Sequence, residues 1–184
     1  MLLSGDMRQA VFLDRDGVIN KAILKNGHPL SPRKMEQLEI IEGVKESIEL
    51  FRKTGLVVVV VTNQPDLASG FITQSLLLEM HKFIGLSTGI NHFYFCGHNN
   101  DHKCACRKPK PGMLLKAASD LGLILENSFL VGDRWKDISA GQQVGCSCFF
   151  IDYNYEESKP SPPFNTVNSL LEAARLITGG KHGI

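Results

Sequence analysis

Ala10-Val11-Phe12-Leu13-Asp14-Arg15-Asp16-Gly17 is the stretch whose reading decides the fold. A short apolar run stops abruptly at two carboxylates one residue apart, and a glycine follows. Short apolar runs rich in β-branched residues read as strands buried on both faces of a parallel sheet. The pattern recurs twice: Leu56 through Val61 stops at Thr62-Asn63-Gln64, and Phe129-Leu130-Val131 stops at Gly132-Asp133. In an open α/β sheet, ligands bind beyond the carboxyl ends of the strands. Asp14, Asp16, Thr62, Asn63 and Asp133 are therefore expected at one sheet edge. Carboxylates, a hydroxyl and an amide together suit a divalent cation and a phosphoryl group.

Helical patterns separate the runs. Val44, Ile48 and Phe51 are spaced i, i+4, i+7, which predicts a helix over 43–54 with Gly55 as its C-terminal glycine. Thr73 is placed to cap a helix reaching about Phe83. Phe93 to Phe95 reads as a strand, and Leu114, Ala117, Ala118 and Leu121 as a helical stripe. A strand over 128–131, a helix over 137–144, a strand over 148–151 and a last helix carrying Leu170, Ala173, Ala174 and Ile177 follow. Gly27 to Pro32 and Tyr153 to Pro163 read as loops. This alternation predicts an α/β fold: one Rossmann-like, doubly wound parallel sheet with helices on both faces, a single domain over 1–184. No insertion is long enough for a large cap domain.

Bulk properties narrow the function. The chain has 184 residues, 43% hydrophobic and 21% charged, which is ordinary for a globular protein with a real core. A net charge of +1 gives no general attraction to nucleic acid or membrane. No apolar stretch approaches the roughly 20 residues that span a bilayer. Met1 to Asp6 carries an acid and no basic cluster, unlike a signal peptide. A cytoplasmic protein is expected, and Gly179 to Gly183 should fray. Five cysteines in a reducing compartment then need a role other than disulfides.

The carboxylates suggest one. Asp14 at a strand end is placed to act as a nucleophile, and Asp16 to reach the leaving-group oxygen as general acid. Gly17 permits the sharp turn that carries the chain away. Neighbouring aspartates repel, and Mg²⁺, which prefers hard oxygen ligands, is the natural balance, with Asp133 supplying a further carboxylate. Thr62 and the Asn63 backbone would donate to phosphoryl oxygens, and Lys108 would add positive charge. Singly, Asp-x-Asp-Gly and Thr-Asn are ordinary turn compositions. The ordered set carries the reading.

The cysteines fall in a pattern too. Cys96-x-His98 and Cys104-x-Cys106 put three thiolates and an imidazole close together, a standard structural zinc set. The alternative from spacing alone is three reactive or half-buried thiols in a polar loop over 96–106. Cys146 and Cys148 read as buried core thiols, His102 as a lesser ligand candidate. His28, His81, His92 and His182 have no partner pattern.

Phe12 to Asn20, Val61 to Gln64, Cys106 to Met113 and Val131 to Asp137 together resemble the four motifs of the haloacid dehalogenase superfamily of phosphohydrolases. More closely, they are similar to its histidinol-phosphate and heptose-bisphosphate phosphatase branch. The resemblance runs from about Ala10 to Phe150. It implies that Asp14 forms an aspartyl-phosphate and that Asp16 protonates the departing oxygen and then activates water. It implies Mg²⁺ held by the Asp14 carboxylate, the Asp16 backbone carbonyl and the Asp133 carboxylate. Thr62 and Asn63 would bind the phosphoryl group, Lys108 would neutralise it, and Asp137 would orient Lys108 or a metal-bound water. Arg107 would grip a distal part of the substrate. The Cys-x-His and Cys-x-Cys loop binds zinc in that branch, so Cys96, His98, Cys104 and Cys106 are expected zinc ligands that fix Arg107 and Lys108.

The branch implies a small-molecule sugar phosphate as substrate. D-glycero-D-manno-heptose 1,7-bisphosphate, in the heptose pathway for lipopolysaccharide, comes first and histidinol phosphate second. A zinc-stabilised nucleic-acid-binding module is a third reading, which the neutral charge disfavours. Many branch members carry an arginine after alanine in the loop following the second motif. This chain has Ser69 there, which bears on the bisphosphate preference. Gly27 to Arg33 is a candidate wall of the site, and a monomer is the default expectation.

Overall fold

In a computed structural model, which describes residues 8–179, the chain runs β1 (Ala10–Leu13), β2 (Ile23–Lys25), β3 (His28–Leu30), α1 (Val44–Lys53), β4 (Val57–Asn63), α2 (Gln74–Thr88) and β5 (His92–Cys96). Then come α3 (Gly112–Leu121), β6 (Phe129–Gly132), α4 (Trp135–Gln142), β7 (Ser147–Ile151), β8 (Asn165–Val167) and α5 (Leu170–Gly179). The six-stranded sheet has the order β5-β4-β1-β6-β7-β8, and every pairing is parallel. From β1 the chain builds outward through β4 and β5, then returns to lay β6 on the other side. The boundary between β1 and β6 is therefore the topological switch point, where such sheets bind ligands.

Alternation within the strands sends side chains to two cores. Val11, Leu13, Val58, Val60 and Val131 pack with Ile48, Phe51, Ala174 and Ile177 on one face. Phe12, Val59, Val61 and Leu130 pack with Leu114, Ala117 and Ile138 on the other. Helices thus cover both faces, as expected. Each such buried aliphatic side chain contributes about 1.5–3 kcal/mol.

Some local readings need correction. The stretch after Ala22 is a β-hairpin, not a plain loop: Ile23 pairs with Leu30 and Lys25 with His28. Asn26 (φ 50°) and Gly27 (φ 72°) form its two-residue turn, and an Asn-Gly pair suits the positive φ both positions need. α2 continues past Phe83 to Thr88, because Leu77, Met80, His81 and Ile84 keep the buried stripe going. Thr73 caps it, its side chain accepting from the Leu76 N–H at 3.2 Å. α4 begins at Trp135 because the Asp137 carboxylate accepts the Arg134 N–H at 3.0 Å, closing a capping box. β8 was hidden, since only Val167 in it is buried.

Among the described residues no insertion forms a large cap, and no helix is long and apolar enough to cross a membrane. The readings of Met1 to Asp6, of Gly180 to Gly183 and of His182 lie outside the described residues.

Candidate active site

Asp14 follows β1 directly, its N–H donating to the Val131 carbonyl at 3.1 Å. Asp133 follows β6, and Asp137 sits in the first turn of α4. Carboxylate oxygens of Asp14, Asp133 and Asp137 all lie within 4.8 Å of one another, and all three residues are buried. Lys108 threads into this acidic centre. Its Nζ lies 2.8 Å from Asp14 Oδ1 and 2.6 Å from Asp137 Oδ1, and donates to the Val61 carbonyl at 2.6 Å. Asn63 holds it there: Asn63 Nδ2 donates to the Lys108 carbonyl (3.0 Å), and the Lys108 N–H donates to Asn63 Oδ1 (3.1 Å).

Three buried carboxylates share one ammonium, and their protonation reflects it. Burial pushes Asp14 up to about 6, helped by the charges of Asp137 and Asp16 and opposed by Lys108. Burial, with Asp14 and Asp137, raises Asp133 well above the usual range against a hydrogen bond from Tyr155. Burial alone would lower Lys108, but Asp137 and Asp14 outweigh it and raise it. Asp133 Oδ2 accepts from the Tyr155 hydroxyl at 2.9 Å, while Oδ1 is buried with no partner among the described residues. An orphaned carboxylate oxygen on an acid that lies within 4.8 Å of two others fits a divalent cation such as Mg²⁺.

Gly17 lets these groups approach. It adopts φ 91°, and a Cβ there would sit 1.9 Å from Asp133 Oδ2. Gly17→Ala is expected to destabilise the fold by at least about 1–3 kcal/mol from backbone strain and to displace Asp133. Urea midpoints and activity at saturating Mg²⁺ check this; a variant with wild-type values for both would show that the close approach does not exist in solution.

Asp16 has different surroundings. Its carboxylate is not among the three that converge. It accepts from Arg15 Nε and Nη2 (both 3.0 Å), Asn20 Nδ2 (2.9 Å), Ser31 Oγ (2.8 Å) and Gln64 Nε2 (2.8 Å). Burial would raise its pKa, but Arg15 and the donors Asn20, Ser31 and Gln64 outweigh this and hold it below the usual range. Thr62 is buried, its Oγ1 accepting from Gln64 Nε2 at 2.8 Å.

Asp14, Asp16, Asn63, Lys108 and Asp137 open onto one cavity of about 50 Å³, joined by Pro29, Leu30 and Ser31 of the hairpin and by Arg134 and Lys136. The hairpin segment singled out in the sequence is therefore a wall of the site. Arg107 is not on this wall; its guanidinium donates to Asn100 Oδ1 (2.9 Å) and the His98 carbonyl (3.1 Å). Sequence reasoning missed Arg15, Gln64, Lys136 and Tyr155, and it placed Ser31 only in a candidate wall, without its contact to Asp16. For Ser31, Gln64 and Tyr155 the contacts are tertiary; Lys136 carried a signal, being a cation beside Asp133 and Asp137.

The cysteine loop also converges. Cys96 Sγ lies 3.2 Å from Cys106 Sγ and 3.6 Å from Cys104 Sγ, and Cys104 and Cys106 are 3.4 Å apart. His98 Nδ1 lies 3.5 Å from Cys96 Sγ and 3.4 Å from Cys106 Sγ. A tetrahedral zinc with bonds of about 2.3 Å implies sulfur–sulfur edges of roughly 3.8 Å, close to this compact cluster. Burial and its sulfur neighbours push Cys96 up to about 12, while Cys104, against a burial penalty, is brought down to about 6 by donors from Cys106 and the backbone. His102 stays outside the cluster, its Nδ1 2.6 Å from Asn99 Oδ1. Cys146 and Cys148 are buried in the core, as read.

The HAD-hydrolase-like family model matches residues 105–173, the part that carries Lys108, Asp133 and Asp137. The D-glycero-β-D-manno-heptose-1,7-bisphosphate 7-phosphatase of Pasteurella multocida is 33% identical over 147 residues, covering 74% of this chain and 77% of its own. The chain belongs to this family of haloacid dehalogenase-like phosphatases. The heptose-bisphosphate phosphatase of Photorhabdus laumondii is 34% identical and aligns with 94% of this chain and 96% of its own. Among solved structures, the D,D-heptose 1,7-bisphosphate phosphatase of B. bronchiseptica, complexed with magnesium and phosphate, superposes with a TM-score of 0.82. It is 23% identical, and the match covers 94% of this chain and 99% of that one, which establishes the shared fold.

Proposed function

We propose that this chain is a Mg²⁺-dependent phosphatase that removes the 7-phosphate of D-glycero-D-manno-heptose 1,7-bisphosphate through an aspartyl-phosphate, acting as one domain. The observation that carries this reading is Asp14, buried at the switch point, 2.8 Å from the Lys108 ammonium and within 4.8 Å of Asp133 and Asp137. In this reading Asp14 attacks phosphorus; Asp16, kept ionised in the free site by Arg15 and its other donors, takes up a proton from solvent as the anionic phosphate arrives beside it, hands that proton to the departing sugar oxygen, then takes one from the attacking water. Lys108 spreads the charge of the transferring group, while the Thr62 hydroxyl and the Asn63 backbone bind its oxygens. Asp137 keeps Lys108 aimed. Mg²⁺, held by the Asp14 and Asp133 carboxylates and the Asp16 carbonyl, would supply further charge neutralisation.

Lys136 supports a substrate with a second anionic group. It lines the cavity and pairs with no carboxylate among the described residues, unlike Arg134, which donates to Glu157 at 2.9 Å. Burial lowers its pKa, and Arg134 and Arg107 lower it further. A phosphate there would relieve the crowding of three cations, with Arg107 at the distal end. Competing kcat/KM values for heptose 1,7-bisphosphate, the heptose monophosphates and histidinol phosphate test the assignment. The bisphosphate should lead by at least about tenfold; a lead for histidinol phosphate would reassign the substrate.

Cys96, His98, Cys104 and Cys106 are proposed to hold a structural Zn²⁺, since four protein ligands leave no open position. Purified protein should contain one zinc per chain. Cys106→Ser should lower that content and the melting temperature together, with activity lost because Lys108 stands two residues away. Full zinc content in that variant would remove Cys106 from the ligand set.

A further inference from the structure

Gln64 directly follows β4 and is wholly buried. Its main chain is pinned, the N–H donating to the Cys96 carbonyl at 2.8 Å. Its side chain has every polar atom engaged. Nε2 donates one hydrogen to Asp16 Oδ2 and the other to Thr62 Oγ1, both at 2.8 Å. Oε1 accepts from Arg15 Nη2 at 3.1 Å. Turning the amide over would set Oε1 against the Asp16 carboxylate and Nε2 against the Arg15 guanidinium, so the network fixes one orientation. Thr62 Oγ1, already accepting from Gln64, keeps its own proton to donate.

Arg15 closes the ring. It is fully buried and grips Asp16 through both Nε and Nη2. The loop after Asp16 folds back, with the Gly17 N–H donating to the Asn20 carbonyl at 2.7 Å, and this brings Asn20 Nδ2 to Asp16 Oδ1. Ser31 approaches the other oxygen from the hairpin. Asp16 therefore has little freedom of its own; its neighbours decide where the carboxyl points.

We propose that Gln64, braced by Arg15, is a positioning residue that sets the Asp16 carboxyl and the Thr62 hydroxyl in register, so that proton delivery and phosphoryl binding are aligned by one side chain. The inference rests on the phosphatase reading, with Asp16 as general acid. It separates two kinds of ester. A sugar alkoxide leaves only with a proton in hand, whereas p-nitrophenolate leaves without one. Because kcat/KM covers only the steps through the first irreversible one, it isolates leaving-group departure from the later hydrolysis of the aspartyl-phosphate.

The experiment compares kcat/KM for a sugar phosphate and for p-nitrophenyl phosphate in wild type, Gln64→Met, Asp16→Asn and the double variant. Gln64→Met should lose at least about tenfold more activity on the sugar phosphate than on p-nitrophenyl phosphate. In the Asp16→Asn background that difference should vanish, since a residue acting through Asp16 has nothing left to position. Equal losses on both esters, or a selective loss that persists without Asp16, would overturn the proposal. If Gln64→Met fails to fold, Ser31→Ala decides: it removes one donor to Asp16 from a half-buried position and should show the same selectivity, about threefold. Equal losses there would likewise overturn it. A wild-type protein that hydrolyses neither ester would refute the phosphatase reading itself. One that hydrolyses both, with no selective loss in the variants, would refute only the role of Gln64.

Discussion

Asp14→Asn is expected to lower phosphate release on the order of 10⁴-fold or more, because in the proposed mechanism Asp14 is the group that attacks phosphorus. The amide keeps the size of the carboxyl but is a poor nucleophile. It also cannot offer the charge that pairs with Lys108 Nζ at 2.8 Å. Rapid quenching of wild type with labelled substrate should trap a hydroxylamine-sensitive phosphoryl-protein, and Asp14→Asn should trap none. Release that persisted undiminished in this variant would end the covalent mechanism.

Lys108→Met should be nearly as severe, and should act on stability as well. Lys108 is 2% exposed and contacts Asp14 and Asp137 at once. Removing it leaves those acids beside Asp133 without the ammonium they share. Breaking a buried pair in this way costs about 3–5 kcal/mol. Part of that cost would be met by protonation, which disables Asp14 as a nucleophile. The loss of charge opposite the transferring group adds roughly 10²–10³-fold in kcat. Denaturant unfolding and kcat measured on the same preparation check both halves. A variant that melts like wild type would mean the ammonium does not sit between those carboxylates in solution.

The convergence at the candidate site was legible in one dimension because the sheet is parallel. Each strand of such a sheet delivers its last residue to the same edge, so Asp14, Asn63 and Asp133 announce themselves wherever an apolar run stops. Cys96, His98, Cys104 and Cys106 were legible for a related reason, being soft ligands crowded into a single short loop. The arrangement around Asp16 was not legible. Gln64 stood at the end of a motif with no role assigned to it, and its importance lies in reaching Asp16 and Arg15 across the sheet edge. Ser31 depends on a hairpin whose Asn26-Gly27 signal was overshadowed by Pro29 and Pro32. Tyr155 comes from a stretch read only as a loop, with nothing local to mark the hydrogen bond to Asp133. What pattern reasoning recovers is where the backbone must go; which side chain crosses over to meet another is decided by packing.

The spacing between Cys106 and Lys108 has a practical consequence. In the proposed mechanism the reacting groups carry oxygen and nitrogen, yet the cation among them hangs from a knot of sulfur. Hypochlorite, peroxide or mercurials would strike that knot first and drag the ammonium out of line. Such poisons would then silence the enzyme although none of the residues proposed to react is a thiol, and phosphate bound in the pocket would not shield the knot.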